Sequence, residues 1–274
     1  FQEVVGQETT RLALENVLKH NLLHHAYLFT GIRGTGKTSI ARILAKCLNC
    51  ETGVTATPCE QCDACLAINQ GEHMDVIEMD AASQTKVDDM RDMLDKVQYM
   101  PVKSRFKIYI IDEVHMLSKH SFNALLKTLE EPPAHVKFIL ATTDLHKIPT
   151  TIVSRCLQFH LKPFSKEVIF QHVQEVLTKE NIHFEKEALE KIAHFAEGSM
   201  RDALSLLEKV IAAGVDTVSL EKAEQVLGVV DANSLYRLLY LTHEGQAEPL
   251  LNLMDEIAQK HVDFLNIITL LQGI

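Results

Sequence analysis

The eight residues from Gly31 to Thr38, which read Gly-Ile-Arg-Gly-Thr-Gly-Lys-Thr, have the clearest chemical meaning. A short apolar run precedes them and an amphipathic helical pattern follows, which is the context of a phosphate-binding loop. The backbone N–H groups of such a loop and the positive N-terminus of its helix bind phosphate oxygens. Lys37 is then expected to contact the β and γ phosphates, and Thr38 to bind Mg²⁺. The alternative is a glycine-rich surface turn. The predicted binding set is Gly31, Gly34, Thr35, Gly36, Lys37, Thr38 and Ser39.

An acidic pair ends a second apolar run. Asp112 and Glu113 directly follow residues 108–111, and the carboxyl ends of buried strands form the edge where open α/β sheets bind ligands. Asp112 is predicted to hold Mg²⁺ and Glu113 to polarise the attacking water. Standing alone, the pair would be better explained as a cap on the next helix. Together with the phosphate loop, it predicts in-line attack of water on a γ-phosphate.

Four of the six cysteines are concentrated in one short segment with the spacing C-x8-C-x2-C-x2-C. Cys50, Cys59, Cys62 and Cys65 are predicted to bind Zn²⁺ in a structural site, because four cysteine ligands leave no coordination position for a catalytic water. The alternatives are a redox CxxC pair or two disulfides. The other two, Cys47 and Cys156, are predicted to be core residues.

The elements that must position these groups follow from hydrophobic periodicity. Between residues 26 and 161, apolar runs alternate with helical patterns, which predicts an α/β fold with a parallel sheet covered by helices on both faces. Strands are predicted at 26–30, 76–80, 107–112, 138–143 and 157–161, and helices at 37–48, 87–97 and 119–129. The last two helices bury Val87, Met90, Leu94 and Val97, and Phe122, Leu125, Leu126 and Leu129.

Strand signals stop at Ser165. Helical periodicity alone follows, which predicts an all-α second unit with helix stops at Gly198 and Gly214. A change of pattern near residues 227–233 indicates the beginning of a third helical domain.

Composition excludes several classes of protein. The chain has 274 residues, 46% hydrophobic and 23% charged, so it can form two or three compact units and is neither disordered nor fibrous. A net charge of −10 argues against a free-standing nucleic-acid binder.

The sequence has neither an apolar run of about 18 residues nor a signal peptide, so we expect a cytoplasmic protein without a membrane partner. The chain begins at Phe1 and ends within an apolar pattern, so we expect a piece of a longer protein.

With these motifs, the chain resembles the AAA+ ATPases, and within them the gamma/tau subunits of bacterial DNA polymerase III clamp loaders. Beyond the phosphate loop, the resemblance rests on the four-cysteine insertion and on three further segments, which are Asp112 to Pro133, the triplet Ser154-Arg155-Cys156, and Gly198 to Glu208. It covers essentially the whole chain. The resemblance implies a P-loop AAA+ ATPase domain at 1–164 with a zinc insertion at about 50–65. A helical lid at 165–229 and a truncated collar domain at 230–274 are implied to follow.

The resemblance also implies roles for further residues. Thr143 matches the family's sensor of the hydrolytic water, with Thr142 as the fallback, and Arg201 matches a lid arginine that touches the γ-phosphate. Arg155 matches the arginine finger, which in the family completes the site of a neighbouring subunit. Outside the family context, either arginine could equally form a structural salt bridge.

The first residues of the chain resemble the segment that lines the adenine pocket, so Val4 and Val5 are implied to bind the nucleotide. The family's basic, proline-containing upstream segment is absent from this sequence, which implies weakened nucleotide affinity.

The implied function is that of an ATP-dependent clamp-loader subunit with ATP, Mg²⁺ and Zn²⁺ as cofactors. ATP binding and hydrolysis between subunits would drive opening of the sliding clamp and its loading onto primed DNA. The implied partners are delta, delta prime and further gamma/tau subunits, the sliding clamp, and primer-template DNA held by the assembly. Arg91 and Lys127 are candidates for DNA contact, although both are more typical of solvated charges. Polymerase and helicase would bind C-terminal domains absent here, and the chain itself is not expected to polymerise DNA.

Two other functions stay open. The chain could be an interaction module in which bound nucleotide is structural, but the complete set of Lys37, Asp112 and Glu113 disfavours that reading. It could also be a different AAA+ motor, such as a branch-migration or initiation ATPase, which the cysteines and the Ser-Arg-Cys triplet disfavour.

Overall fold

The computed structural model describes residues 5–83, 90, 93–214, 217–228 and 232–258. The chain divides between Pro163 and Phe164 into two compact units. Among the described residues, no helix combines the length and apolar character needed to cross a membrane.

The first unit is built on a five-stranded parallel sheet with the strand order β2-β3-β4-β1-β5. All five predicted strands are confirmed, and the fourth begins two residues earlier than its apolar run. Every residue of β1 and β4 is buried, which explains why these strands are apolar without alternation. The strands are β1 Ala26–Thr30, β2 Val76–Asp80, β3 Lys107–Asp112, β4 Val136–Thr142 and β5 Leu157–His160.

Register aligns the carboxyl ends of the strands. Thr30 pairs with Thr142 across β1 and β4, and Asp80 pairs with Asp112 across β2 and β3. The segments that follow β1, β3 and β4 therefore emerge at one edge of the sheet, which places the phosphate loop, Glu113 and Thr143 at the same edge.

Helices cover both faces of this sheet, as predicted. On one face, Tyr27 and Phe29 pack with Leu14 and Leu44 in a buried core that also contains Cys47. The helices whose bounds lie within the described residues are α1 Glu8–Lys19, α2 Lys37–Asn49, α3 Asp63–Gln70, α4 Lys119–Glu130 and α5 Thr150–Val153, and short 3₁₀ turns occupy Lys96–Gln98, Val114–Met116 and Leu145–Lys147.

On the other face, Leu28 and Phe138 pack with Phe122 and Leu125 of α4. The predicted helix at 87–97 lies partly outside the described residues, and so does its Val87. Its buried members Met90 and Val97 belong to this second core, and Leu94 packs against it. Cys156 is buried in the same core, which confirms the core assignment of both isolated cysteines.

The second unit is helical, with a core that includes Ile169, Ile192 and Leu207. Serine N-caps begin several helices: the Ser165, Ser199 and Ser219 side chains each accept a hydrogen bond from the backbone N–H three residues on. The predicted stop at Gly214 is the C-cap of α8. The helices are α6 Lys166–Lys179, α7 Lys186–Phe195, α8 Met200–Ala213, α9 Leu220–Leu227, α10 Ala232–His243 and α11 Ala247–Ala258.

One feature of this unit was not predicted. Two short strands, β6 His183–Phe184 and β7 Thr217–Val218, form a parallel two-stranded ladder. Each strand has two residues, which is too short to produce an alternating pattern in the sequence. Within its described residues, the second unit is therefore helical apart from this ladder.

Candidate active site

The phosphate loop has a backbone that requires glycine. Gly31 has φ +149°, and a Cβ built on it would lie 2.5 Å from the carbonyl oxygen of Leu161. The Leu161 N–H in turn donates to the carbonyl of Thr30 at 2.7 Å, which holds the end of β5 against the start of the loop. Gly36 adopts the left-handed conformation with φ +90° and is the N-cap of α2. The chain therefore passes directly from the loop into the helix whose N-terminus faces the loop.

Lys37 is the first residue of α2 and is only 6% exposed. Its ammonium Nζ donates to the carbonyls of Gly31 and Ile32, both at 2.9 Å. Thr35 is also buried, and its hydroxyl donates to the Ile32 carbonyl at 2.9 Å. The lysine ammonium is thus held within the loop, next to the N–H groups of the first turn of α2, where anions bind.

Asp112 and Thr38 are brought together from β3 and α2. The Thr38 hydroxyl donates a short hydrogen bond to Asp112 Oδ2, and the second carboxylate oxygen accepts the backbone N–H of Glu113 at 2.9 Å. A hydroxyl beside a carboxylate is an all-oxygen pair of the kind that holds Mg²⁺ together with phosphate oxygens. These two residues fit the ion that the sequence assigns to them.

Glu113 lies beside Thr143 at the same edge of the sheet. Glu113 has φ +46°, an unusual conformation for a residue with a side chain. Its Oε2 accepts the Thr143 hydroxyl at 2.9 Å and the Thr143 backbone N–H at 3.2 Å. Thr142, the fallback for the sensor role, is fully buried and its hydroxyl bonds to Asp144 and His115. Of the two threonines, Thr143 is the one in contact with Glu113.

Three other predicted site residues have surroundings of their own. Arg155 donates to Glu130 Oε1 at 3.0 Å and to the Thr151 carbonyl at 2.7 Å, and its side chain is 35% exposed. Arg201 is exposed in the first turn of α8, in the second unit. Ser39 is exposed in the first turn of α2.

The adenine segment is partly described. Val4 lies outside the described residues, and Val5 is half-buried. The adjacent Gln7 is 5% exposed and bonds the backbone of Lys162 through both ends of its amide, at 2.8 and 3.2 Å. This amide bridge ties the segment before α1 to the segment after β5.

The four clustered cysteines form one compact group. Their Sγ atoms all lie within 4.8 Å of one another, and a tetrahedral zinc site with Zn–S bonds of about 2.3 Å requires sulfurs about 3.8 Å apart. Backbone N–H groups point at three of the sulfurs, since Cys59 N donates to Cys50, Cys62 N to Cys59 and Cys65 N to Cys62. All six cysteines are free thiols. The residues fit a closed Cys₄ zinc site.

Two of the clustered cysteines have lowered pKa values, whereas both core cysteines have raised ones. Burial opposes ionisation of Cys50, but hydrogen bonds from the Thr52 hydroxyl and the Cys59 N–H outweigh it and lower its pKa to about 6. Burial likewise opposes ionisation of Cys62, whose pKa is nonetheless lowered by backbone N–H groups. Burial raises the pKa of Cys47 and of Cys156 to about 12. Thiolate character, which metal binding needs, is thus favoured at Cys50 and Cys62.

Burial raises the pKa of Cys65, the fourth member of the cluster. The charge of a bound metal ion is the factor that deprotonates such a thiol.

Sequence reasoning did not identify the residues that support the cluster. Lys46 of α2, with 8% of its side chain exposed, bonds both carboxylate oxygens of Glu60 at 2.7 and 2.8 Å. Arg105 donates to the Cys50 carbonyl at 2.6 Å. The sequence carries no signal for either contact, because the partners are distant in the chain or separated by the irregular insertion.

Two family profiles match this chain. The profile described as "DNA polymerase III, delta subunit" matches residues 6–165. The profile described as "DNA polymerase III clamp loader subunit, ATPase lid domain" matches residues 168–216.

Curated relatives carry related names. The chain is 57% identical over 264 residues to DNA polymerase III subunit tau/gamma of Haemophilus influenzae, covering 96% of this chain and 38% of that protein. It is 55% identical to subunit tau of Escherichia coli, covering 96% of this chain and 41% of that protein. For subunit gamma of a Buchnera aphidicola subspecies, the identity is 48% and the coverage 98% and 72%. The chain thus spans about two fifths of the length of the first two relatives.

Among solved structures, the Thermotoga maritima RuvB Holliday junction branch migration motor superposes with a TM-score of 0.60. The match covers 96% of this chain and 84% of that one at 19% sequence identity. At this identity the likeness shows the fold alone.

Proposed function

The chain belongs to the gamma/tau subunits of the DNA polymerase III clamp loader, and on that premise we propose that its first unit binds ATP with Mg²⁺ and hydrolyses the γ-phosphate. The proposal rests on one observation, which is that two pairs of residues make hydrogen bonds at the same edge of the sheet. Thr38 contacts Asp112, and Thr143 contacts Glu113, beside the loop that holds Lys37. A phosphate loop alone serves binding, whereas the additional carboxylate supports hydrolysis.

Each residue has a distinct role in this proposal. Phosphate oxygens replace the loop carbonyls as partners of the Lys37 ammonium, which neutralises charge on the β and γ phosphates. Thr38 and Asp112 hold Mg²⁺, which when bound neutralises further charge on the same phosphates. Glu113 accepts the proton of the attacking water, and Thr143 orients that water. The backbone N–H groups of the loop and of the first turn of α2 bind the remaining phosphate oxygens.

Two arginines are proposed to complete the site, one of them in a neighbouring subunit. Arg155 is proposed as the finger that completes the site of a neighbouring subunit, and its partly exposed side chain suits a group that acts outside its own chain. Arg201 is proposed as the lid residue that senses the γ-phosphate. Val4 and Val5 are proposed to line the adenine pocket, and Ser39 to bind phosphate with the loop. We further propose domain limits of 1–164, 165–229 and 230–274 for the ATPase, lid and collar domains.

The biological role follows from family membership. We propose that ATP binding and hydrolysis between subunits, in the cytoplasm, drive opening of the sliding clamp and its loading onto primed DNA. The proposed partners are delta, delta prime and further gamma/tau subunits, the clamp, and primer-template DNA within the assembly. Polymerase and helicase contacts are assigned to parts of the longer relatives beyond the aligned region.

The Cys₄ cluster is proposed to bind a structural zinc ion. Four thiolates leave no position for a water or substrate, so the ion would contribute folding energy rather than catalysis. The cluster closes the insertion between α2 and α3, since Cys50 caps the C-terminus of α2 and Cys62 caps the N-terminus of α3.

The decisive experiment compares Lys37→Ala and Glu113→Gln in the full-length protein assembled with its partner subunits. We expect Lys37→Ala to lose binding of a fluorescent ATP analogue. Glu113→Gln should bind the analogue but hydrolyse ATP at least about a hundredfold more slowly. Lys19→Ala, a change to an exposed lysine on α1, is the control. Unchanged binding by Lys37→Ala would refute the phosphate site, and tight binding without turnover by the wild type would restrict the nucleotide to a structural role.

A further inference from the structure

We propose that His115 is a positioning residue that holds the Glu113 carboxylate in place for hydrolysis; this inference rests on the proposed function of Glu113. His115 follows Glu113 by two residues, in the 3₁₀ turn Val114–Met116. Its Nδ1 lies 3.2 Å from Glu113 Oε2 and 3.0 Å from the Thr142 hydroxyl. The sequence motifs assign no role to this histidine.

The hydrogen-bond network assigns the proton on the ring. The Thr142 hydroxyl oxygen lies 3.1 Å from the Asp144 carbonyl, and we assign its single proton to that bond, which leaves the oxygen as an acceptor toward the imidazole. An ionised carboxylate is also purely an acceptor. Because both neighbours of Nδ1 are acceptors, we assign a proton to Nδ1, whose hydrogen bond joins it to Thr142 and which lies at 3.2 Å from Glu113 Oε2, within ion-pair distance.

The imidazole therefore lies between groups at the ends of two strands. Glu113 is the residue after β3, whereas Thr142 is the last residue of β4. Glu113 Oε2 accepts two hydrogen bonds, from the Thr143 hydroxyl and the Thr143 backbone N–H, and lies 3.2 Å from His115 Nδ1. The two Thr143 donors follow a strand end, and the imidazole adds a contact that is anchored on the buried Thr142.

Burial makes the imidazole a rigid support. The His115 side chain is 9% exposed, whereas the Glu113 side chain is 26% exposed. The preceding Val114 is fully buried in the core beneath the sheet edge. Because the ring is already held in place by its surroundings, it loses little conformational entropy when it contacts the carboxylate. It can therefore keep the carboxylate in one position.

The test uses two amide substitutions of similar size. The side-chain amide of asparagine can place an N–H near the position of Nδ1, whereas that of glutamine places it near Nε2. We expect His115→Ala and His115→Gln to lower kcat by about tenfold with KM and ATP-analogue affinity unchanged, because a displacement of about 1 Å near the reacting groups can cost up to about a hundredfold. His115→Asn should recover most of the lost rate. The measurement is steady-state ATP hydrolysis by the full-length protein in its assembled complex.

The outcomes separate this inference from the proposed function. If Glu113→Gln abolishes turnover and His115→Ala leaves kcat unchanged, the positioning role is wrong and the ATPase proposal stands. If Glu113→Gln itself retains full turnover, the proposed role of Glu113 fails, and the role of His115 fails with it. Equal loss of rate and of thermal stability in the alanine, asparagine and glutamine variants would show a merely structural histidine, and would also overturn the inference.

Discussion

The ion pair between Lys46 and Glu60 predicts an asymmetric effect on stability. Lys46 belongs to the same helix as Lys37 and Thr38, and Glu60 belongs to the cysteine-rich insertion. The two side chains differ in burial, with 8% of Lys46 and 44% of Glu60 exposed. Removing Glu60 leaves a buried ammonium without its counter-ion, whereas removing Lys46 leaves a carboxylate that water can solvate.

The loss in free energy of unfolding expected on replacing Glu60 lies between two limits. Breaking a fully buried ion pair costs about 3–5 kcal/mol, and breaking an exposed one costs about 0–1 kcal/mol. Because one partner is buried and the other is nearly half exposed, we expect Glu60→Gln to lower the free energy of unfolding by about 1–2 kcal/mol. Lys46→Met keeps most of the packed aliphatic stem and should cost less than about 1 kcal/mol. The double variant should resemble Lys46→Met.

The pH dependence provides a second check. Burial raises the pKa of Glu60, but hydrogen bonds from Lys46 and Asn69 outweigh it and leave the pKa below the ordinary value of 4.5. A depressed carboxyl pKa contributes stability that is present above the unfolded pKa and is lost as the pH falls through the folded pKa. The difference between wild type and Glu60→Gln should therefore be constant from pH 6 to 7, and should shrink only below about pH 4.5.

The assay is guanidinium unfolding of zinc-saturated protein, followed by tyrosine fluorescence. Tyr27 and Tyr109 are buried in the first unit and report on it. The reasoning is refuted if Lys46→Met is more destabilising than Glu60→Gln, or if the two variants are equally stable, because neither result is compatible with a buried cation that depends on Glu60.

Three further predictions concern other sites. Lys137 lies in β4 over the ring of Phe106 and is 7% exposed, and burial lowers its pKa. Because burial disfavours the charged form of this lysine, Lys137→Met should raise the free energy of unfolding by about 1 kcal/mol at pH 7. In guanidinium titrations, the difference in free energy of unfolding between variant and wild type should decrease as the pH rises toward 10.5. Cys62→Ser should reduce zinc content well below one ion per chain by metal analysis of reduced protein, and an unchanged content would contradict the Cys₄ site. Arg155→Ala should bind ATP normally but lose hydrolysis in the assembled complex, whereas a normal rate there would exclude the finger role.

Local pattern was enough to predict much of this protein. The phosphate loop between a strand and a helix, the acidic pair after β3 and the four clustered cysteines are contiguous or nearly so, and the chemistry of each is set by residue type and spacing. The five strands could be predicted because each carries a short continuous or alternating set of apolar residues. The two-residue ladder of β6 and β7 could not, because it is too short to carry a period.

Contacts between distant residues were decided by the tertiary structure alone. Parallel register sets the carboxyl ends of β3 and β4 side by side, and this brings Thr143, rather than Thr142, against Glu113. Chain reversal in the insertion brings Glu60 to Lys46. The sequence determined which groups can bind phosphate, metal and water, since that depends on side-chain chemistry. The structure determined which of these groups share a hydrogen bond, because such a bond requires positions within about 3 Å that only the packed sheet and helices fix.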